Sequence, residues 1–97
     1  MSHPYEMMAI INPSMEEASV KKLMDQFMSV VVKDGGEVKD IDYWGKRRLA
    51  YQINGLDDGF YLVAHFSCTP ETCAELDRQM KLSENVVRTK VLREDRR

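Results

Sequence analysis

The alternation of hydrophobic and polar positions along the chain predicts six elements in the order βαββαβ. Residues 5–11 form a short apolar run, which favours a strand. After it, apolar residues recur every three and four positions, the stripe of an amphipathic helix over about residues 15–34 that is closed by Gly35-Gly36. Ser14 and Glu17 have the spacing of a capping box, so we expect the Ser14 hydroxyl to cap this helix.

A long hairpin follows the first helix. Residues 38–53 alternate as a strand, but the phase of the alternation slips near Asp40 and again at Gly45. Such slips are typical of β-bulges. We expect a turn at residues 54–59, where glycine and aspartate concentrate, and a strongly apolar second strand at residues 60–66.

The last elements complete an α+β fold. Thr69-Pro70 offers a capping hydroxyl followed by proline, which predicts the start of a second helix. Residues 86–92 form a final strand, and residues 93–97 a frayed charged tail of a single domain, 1–97. Two right-handed βαβ units joined by a hairpin predict a ferredoxin-like sandwich, with a four-stranded antiparallel sheet and two helices on one face.

The predicted helices leave the other face of the sheet uncovered. Period-two alternation turns Met7, Ala9 and Ile11 toward the helices. The residues between them are also apolar, and bare apolar surface of this kind marks an interaction site. We therefore expect a protein partner, a second copy of the chain or stacked nucleic-acid bases to cover Met8, Ile10, Tyr61 and Val63.

The distribution of charge identifies candidate contact residues. The net charge is -2, so the strongly basic field of an autonomous nucleic-acid binder is absent. Basic residues nevertheless cluster in the second half of the chain, and aromatic residues flank the first cluster, a combination that suits RNA. Lysine and arginine at a sheet edge also act simply to deter aggregation. The candidates for RNA or partner contact are Trp44, Lys46, Arg47, Arg48, Tyr51, Arg88 and Lys90.

Several other classes of protein lack support in the sequence. No apolar run approaches the roughly 18 residues that span a bilayer, and no basic segment of a signal peptide precedes the first strand, so we expect a cytoplasmic protein without membrane contact. Cys68 and Cys73 lack zinc-site spacing, so we expect reduced thiols and no metal or other cofactor. The Asn12-Pro13-Ser14 loop has no arginine or glycine-rich anion cradle, which argues against acylphosphatase-like catalysis and a small-molecule substrate.

Two binding functions remain open on these residues. The segment 58–66 occupies the place of the basic-aromatic octet of RNA-recognition motifs, but no basic residue precedes Gly59, and Leu62 stands where a stacking aromatic belongs. A ligand-sensing regulatory module would need glycine-rich ligand loops, for which only Gly35-Gly36 is a candidate. Either module would act as a homodimer.

Short motifs distributed along nearly the whole chain carry a family resemblance. In order, they are Tyr5-Glu6, Asn12-Pro13, Trp44-Gly45-Lys46-Arg47-Arg48-Leu49-Ala50-Tyr51, Ile53, Gly59, Glu75-Leu76-Asp77-Arg78 and Val87-Arg88-Thr89-Lys90-Val91. With this order and spacing the chain resembles the bacterial small-subunit ribosomal protein S6 family. Gln52 is a departure, since the family often has proline there, and the strand would be less constrained at that position.

The resemblance implies a structural role without catalysis. A member of this family would bind the central domain of small-subunit ribosomal RNA together with ribosomal protein S18, as a heterodimer. That arrangement accounts for an acidic RNA binder, because a basic partner would supply much of the phosphate neutralisation.

Overall fold

A computed structural model describes residues 2–53 and 55–94 of the chain. Within them the elements are β1 (His3–Ile11), α1 (Glu17–Lys33), β2 (Glu37–Ile53), β3 (Leu56–Cys68), α2 (Pro70–Leu82) and β4 (Val86–Arg93). The strands pair antiparallel in the order β2-β3-β1-β4, so β1 and β3 are central. The predicted α+β, ferredoxin-like architecture is confirmed.

The hydrophobic core lies between the two helices and one face of the sheet. Met7, Ala9 and Ile11 of β1 are fully buried there, on the side that alternation predicted. Burial of a large apolar side chain contributes about 1.5–3 kcal/mol, so these contacts hold the helices on the sheet. The core also includes Tyr5, Val20, Met24, Phe27, Met28, Val31, Leu62, Ala64, Phe66, Cys68, Leu76 and Met80.

The start of α1 differs from the predicted capping box. The helix begins after Glu16, and no side chain caps it. Ser14 is held by Asn12 instead, whose Oδ1 accepts hydrogen bonds from the Ser14 backbone N at 2.9 Å and from its hydroxyl at 2.8 Å. A short asparagine side chain competes well for a backbone amide two residues away and forms the turn between β1 and α1. The capping-box prediction is therefore wrong.

The hairpin between β2 and β3 is longer than predicted. β3 begins at Leu56, inside the turn expected at residues 54–59. Asp58 lies opposite Arg48 in the register. Opposite charges across two strands favour pairing, and here they extend the ladder into residues whose types suggested a loop. Asn54 lies outside the described residues.

The outer part of this hairpin, residues 45–53 and 55–59, forms an arm that curls over the face of the sheet without helices. Register shifts near Asp40 and at Gly45 confirm both predicted bulges, and Gly45 has a φ of +81°, which glycine adopts without strain. The Tyr51 hydroxyl on β2 accepts a hydrogen bond of 2.7 Å from Nη1 of Arg88. Because Arg88 is on β4, at the opposite edge, the arm reaches across the whole sheet.

β4 continues into the tail that was predicted to fray. Arg93 is paired with Tyr5 in the sheet, and the backbone N of Glu94 donates to the carbonyl of Pro4 at 3.0 Å. The prediction is therefore wrong for Arg93, since backbone pairing with a central strand fixes it. Residues 95–97 lie outside the described residues.

The other helix ends follow their sequence signals. The Thr69 hydroxyl oxygen accepts from the Thr72 backbone N at 3.3 Å, with Pro70 in the first turn of α2. Gly35 closes α1 with a φ of +85°. In the part of the chain that the structure describes, neither helix combines the length and the apolar character needed to cross a bilayer.

Gly59 offers a test of how tightly the arm packs. A Cβ at this position would lie 2.5 Å from Cγ2 of Ile10, and a β-branched side chain has little rotamer freedom with which to move away. We expect Gly59→Ala to lower the free energy of unfolding by about 1–3 kcal/mol, measured by urea denaturation. Ile10→Ala removes the colliding methyl, so the double variant should lose less than the sum of the single losses. Additive losses would contradict this explanation.

Candidate interaction surface

The sheet register brings most of the predicted site residues onto the face that the helices leave free. Met8 lies between Val63 of β3 and Lys90 of β4. Ile10 occupies the next row toward the arm. Because residues in register share a face of the sheet, this helix-free face contains Met8, Ile10, Tyr61, Val63, Arg88 and Lys90.

The arm covers part of the helix-free face and leaves the rest open. Ile10 and Val63 are only 6% and 8% exposed, although no helix lies above them, whereas Met8 is 38% exposed. A cavity of about 300 Å³ opens beside Met8, with Tyr51 and Arg88 in its lining. The apolar face expected from the sequence is thus partly covered by the chain itself, and the arm contributes to this cover through Tyr51.

Trp44 extends the helix-free face at the β2 edge. Its ring stacks on that of Tyr61, with the centroids 6.4 Å apart and the planes at 7°. Its indole N–H donates to Oδ2 of Asp42 at 3.0 Å. The side chain is still 44% exposed. A tryptophan fixed in this way offers a rigid apolar contact to a partner ring, base or side chain.

The three consecutive basic residues do not share one side of the sheet. Lys46 is in register with Phe60, which packs against the core, so Lys46 and Arg48 lie on the helix side. Arg47 lies on the helix-free side, and its Nε donates to the carbonyl of Trp44 at the bulge, 3.1 Å away. Alternation therefore points Arg47 away from Lys46 and Arg48, although all three line one open cavity of about 690 Å³ at the end of the hairpin.

An acidic cluster around a histidine occupies the end of the helix-free face away from the arm. His65 Nδ1 lies 2.7 Å from Oδ1 of Asp40, and its Nε2 lies 3.3 Å from Oε2 of Glu6. The hydrogen bond with Asp40 raises the pKa of His65 above 6.5, against the effect of burial, and Glu6 and Glu94 act in the same direction as Asp40. No local sequence pattern identifies this cluster, although strand alternation already places Glu6 on the same face as Met8.

The two cysteines lie on the other side of the sheet from His65. Cys68 is buried in the core, and burial is the main cause that raises the pKa of its thiol to about 12. Cys73 lies on α2, and both residues are free thiols. His65 and Cys68 therefore do not converge on a common metal position.

A comparison over nearly the whole chain decides the family. The family model described as Ribosomal protein S6 matches residues 4–93. The chain belongs to the ribosomal protein S6 family.

Relatives within the S6 family share about half of their residues with this chain. Small ribosomal subunit protein bS6 of Leifsonia xyli subsp. xyli is 50% identical over 93 residues, which cover 96% of this chain and 73% of the relative. The bS6 protein of Acidothermus cellulolyticus is also 50% identical over 93 residues and is covered to 97% of its length, with 96% of this chain.

A solved structure supports the fold independently. The crystal structure of 30S ribosomal protein S6 from Thermotoga maritima matches with a TM-score of 0.89, covering 98% of this chain and 90% of that chain. Its sequence identity is 24%, so the likeness bears on the fold alone. It places the S6-family chain in the same βαββαβ arrangement.

The histidine cluster makes the stability of this S6-family chain dependent on pH. The folded pKa of His65 is raised above 6.5, so its contribution is complete below about pH 6.5 and is lost as the pH rises through the folded value. An NMR titration of the imidazole should give a pKa above 6.5, and Asp40→Asn should lower it. A pKa at or below 6.5 in the unmodified chain would contradict this.

Proposed function

We propose that this chain is a structural component of the bacterial small ribosomal subunit, in the cytoplasm, and that it binds the central domain of small-subunit ribosomal RNA as a heterodimer with ribosomal protein S18. Membership in the ribosomal protein S6 family supports the ribosomal and non-catalytic part of this proposal. No small molecule and no membrane takes part in it.

The helix-free face is the observation that supports a protein partner. It joins an exposed apolar patch around Met8 to a rigid ring pair at Trp44 and Tyr61. Interfaces are enriched in aromatic residues and methionine, and their energetic centres are buried anchors of this kind. The partner face consists of Met8, Ile10, Tyr61 and Val63, of which Ile10 and Val63 are already largely buried within the chain.

Charge supports a basic partner. Acidic residues at one end of the face, Glu6 and Asp40 among them, complement a positively charged protein surface. The chain alone has a net charge of -2, so it gains little from phosphate neutralisation without such a partner. The RNA or partner contacts in this proposal are Trp44, Lys46, Arg47, Arg48, Tyr51, Arg88 and Lys90.

We expect the chain alone to bind RNA weakly and without sequence preference. Adding ribosomal protein S18 should produce specific binding to a central-domain RNA fragment, because the heterodimer carries the positive charge that the chain lacks. Filter-binding titrations at physiological salt measure both cases. Tight, sequence-selective capture by the isolated chain would contradict the proposal, and self-association without S18 binding would favour a homodimeric regulatory or RNA-recognition module.

A charge placed in the exposed patch should prevent partner docking. Met8→Glu would bury a carboxylate in the interface, so we expect the affinity for S18 to fall at least about tenfold in isothermal titration calorimetry. Val32→Glu is the matched control, since Val32 is 59% exposed on α1 and lies away from this face. Equal affinities of the two variants would exclude the helix-free face as the docking site.

A further inference from the structure

The helix side of β2 carries a row of cations supported by aromatic rings. Lys21 of α1 has its Nζ 5.6 Å from the centroid of the Tyr43 ring. The Nζ of Lys46 lies 5.2 Å from the centroid of the Phe60 ring. Arg48 follows two residues after Lys46 and is also exposed. We call these three cations, Lys21, Lys46 and Arg48, the outer strip.

The bulge at Gly45 creates the outer strip. Residues three apart on a regular strand point to opposite sides, but the extra residue at the bulge turns Tyr43 and Lys46 to the same side. The ring faces then hold the lysine ammonium groups by cation–π attraction and limit their motion. Lys21 joins the row only through the packing of α1 on the sheet.

The spacing of the strip suits an extended polyanion. Lys46 and Arg48 are two residues apart, about 6.6–6.8 Å along the strand, which is comparable to the separation of successive phosphates on one nucleic-acid strand. Their side chains are exposed rather than built into the core. The strip can therefore track a phosphate backbone without rearrangement of the fold.

The outer strip and the helix-free face differ in the carboxylates that lie near their cations. Near the outer strip, Asp58 is in register with Arg48, and Asp57 lines the same open cavity as Lys46 and Arg48. Asp25 is close enough to Tyr43 to help raise the pKa of its hydroxyl, although burial is the larger cause. The helix-free face carries more carboxylates, which surround its histidine and Trp44. These are Glu6, Asp40, Asp42 and Glu94. The carboxylates around His65 and Trp44 repel phosphate from that part of the helix-free face.

We infer that the outer strip, Lys21, Lys46 and Arg48, contacts RNA phosphates and that the helix-free face with Arg88 and Lys90 is left to the protein partner. This division rests on the proposed function, because it assigns separate surfaces to the two partners of the same complex. It adds Lys21, which lies far from the basic cluster in the sequence, to the RNA contacts.

Two double variants separate the surfaces. Lys46→Gln/Arg48→Gln should leave the S18 affinity, measured without RNA, within about twofold of the unmodified chain. RNA binding by the preformed heterodimer should lose about two units of salt slope between roughly 50 and 200 mM salt. Arg88→Gln/Lys90→Gln should instead leave this salt slope unchanged, because these two cations contact no phosphate in the inferred arrangement.

Further substitutions test Lys21 and control for net charge. Adding Lys21→Gln to the outer-strip variant should remove about one more unit of salt slope. Lys22→Gln/Lys33→Gln also removes two positive charges, but from exposed positions of α1 outside the strip. This variant should change neither the S18 affinity nor the salt slope of RNA binding. Circular dichroism checks that every variant is folded.

The outcomes distinguish this inference from the proposed function. An unchanged salt slope in the outer-strip variant would overturn the inference alone, as would a loss of S18 affinity of about tenfold or more in the absence of RNA. Failure of the unmodified chain to bind S18, or of the heterodimer to bind RNA, would overturn the proposed function and this inference together.

Discussion

The need to remove water from the second apolar face of the sheet shapes the molecule outside its core. The two helices found in residues 2–53 and 55–94 both pack on one face of the sheet, so neither of them covers the other face. The hairpin arm covers that face in part, anchored by the hydrogen bond from Arg88 to Tyr51. The arm leaves an apolar patch exposed around Met8. This patch is small enough to be tolerated on the surface of a soluble domain, and it is apolar enough to dock a partner.

The one extra residue at the Gly45 bulge determines to which face of the sheet the following side chains of β2 point. The bulge at Gly45 breaks the alternation of β2, so Trp44 meets Tyr61 on one side while Lys46 meets Phe60 on the other. Without the extra residue, the β2 side chains beyond the bulge would change faces. The positive φ of Gly45 is therefore as important for the surface chemistry as any of the charged residues.

Sequence reasoning succeeded where one period governs a long segment. The apolar stripe of α1 and the alternation in β1 fixed the core side of both elements, since a wrong phase would have buried charges. The predictions were wrong where they depended on one or two polar residues that have other hydrogen-bonding or charged partners nearby. Asn12 displaced Ser14 from its capping role, and the pairing of Asp58 with Arg48 extended β3 into the expected turn.

Only part of the candidate interaction surface could be predicted from the sequence. Met8 and Tyr61 follow from alternation, but three features depend on tertiary packing that no local pattern encodes. The curl of the arm brings Tyr51 to Arg88, the sheet register gathers carboxylates at His65, and the docking of α1 brings Lys21 to Tyr43. Such contacts join residues that are far apart along the chain.

The central position of β1 has a consequence for the order in which the chain folds. β1 is made first, yet its two neighbours in the sheet are β3 and β4, and the last of these is completed only at Arg93. Such long-range pairing closes large loops and slows folding. A chain released before β4 is complete would keep the β1 edge unpaired, with apolar side chains beside it, and such an edge invites strands of other unfinished chains. The C-terminal strand is thus the element that protects nascent molecules from one another.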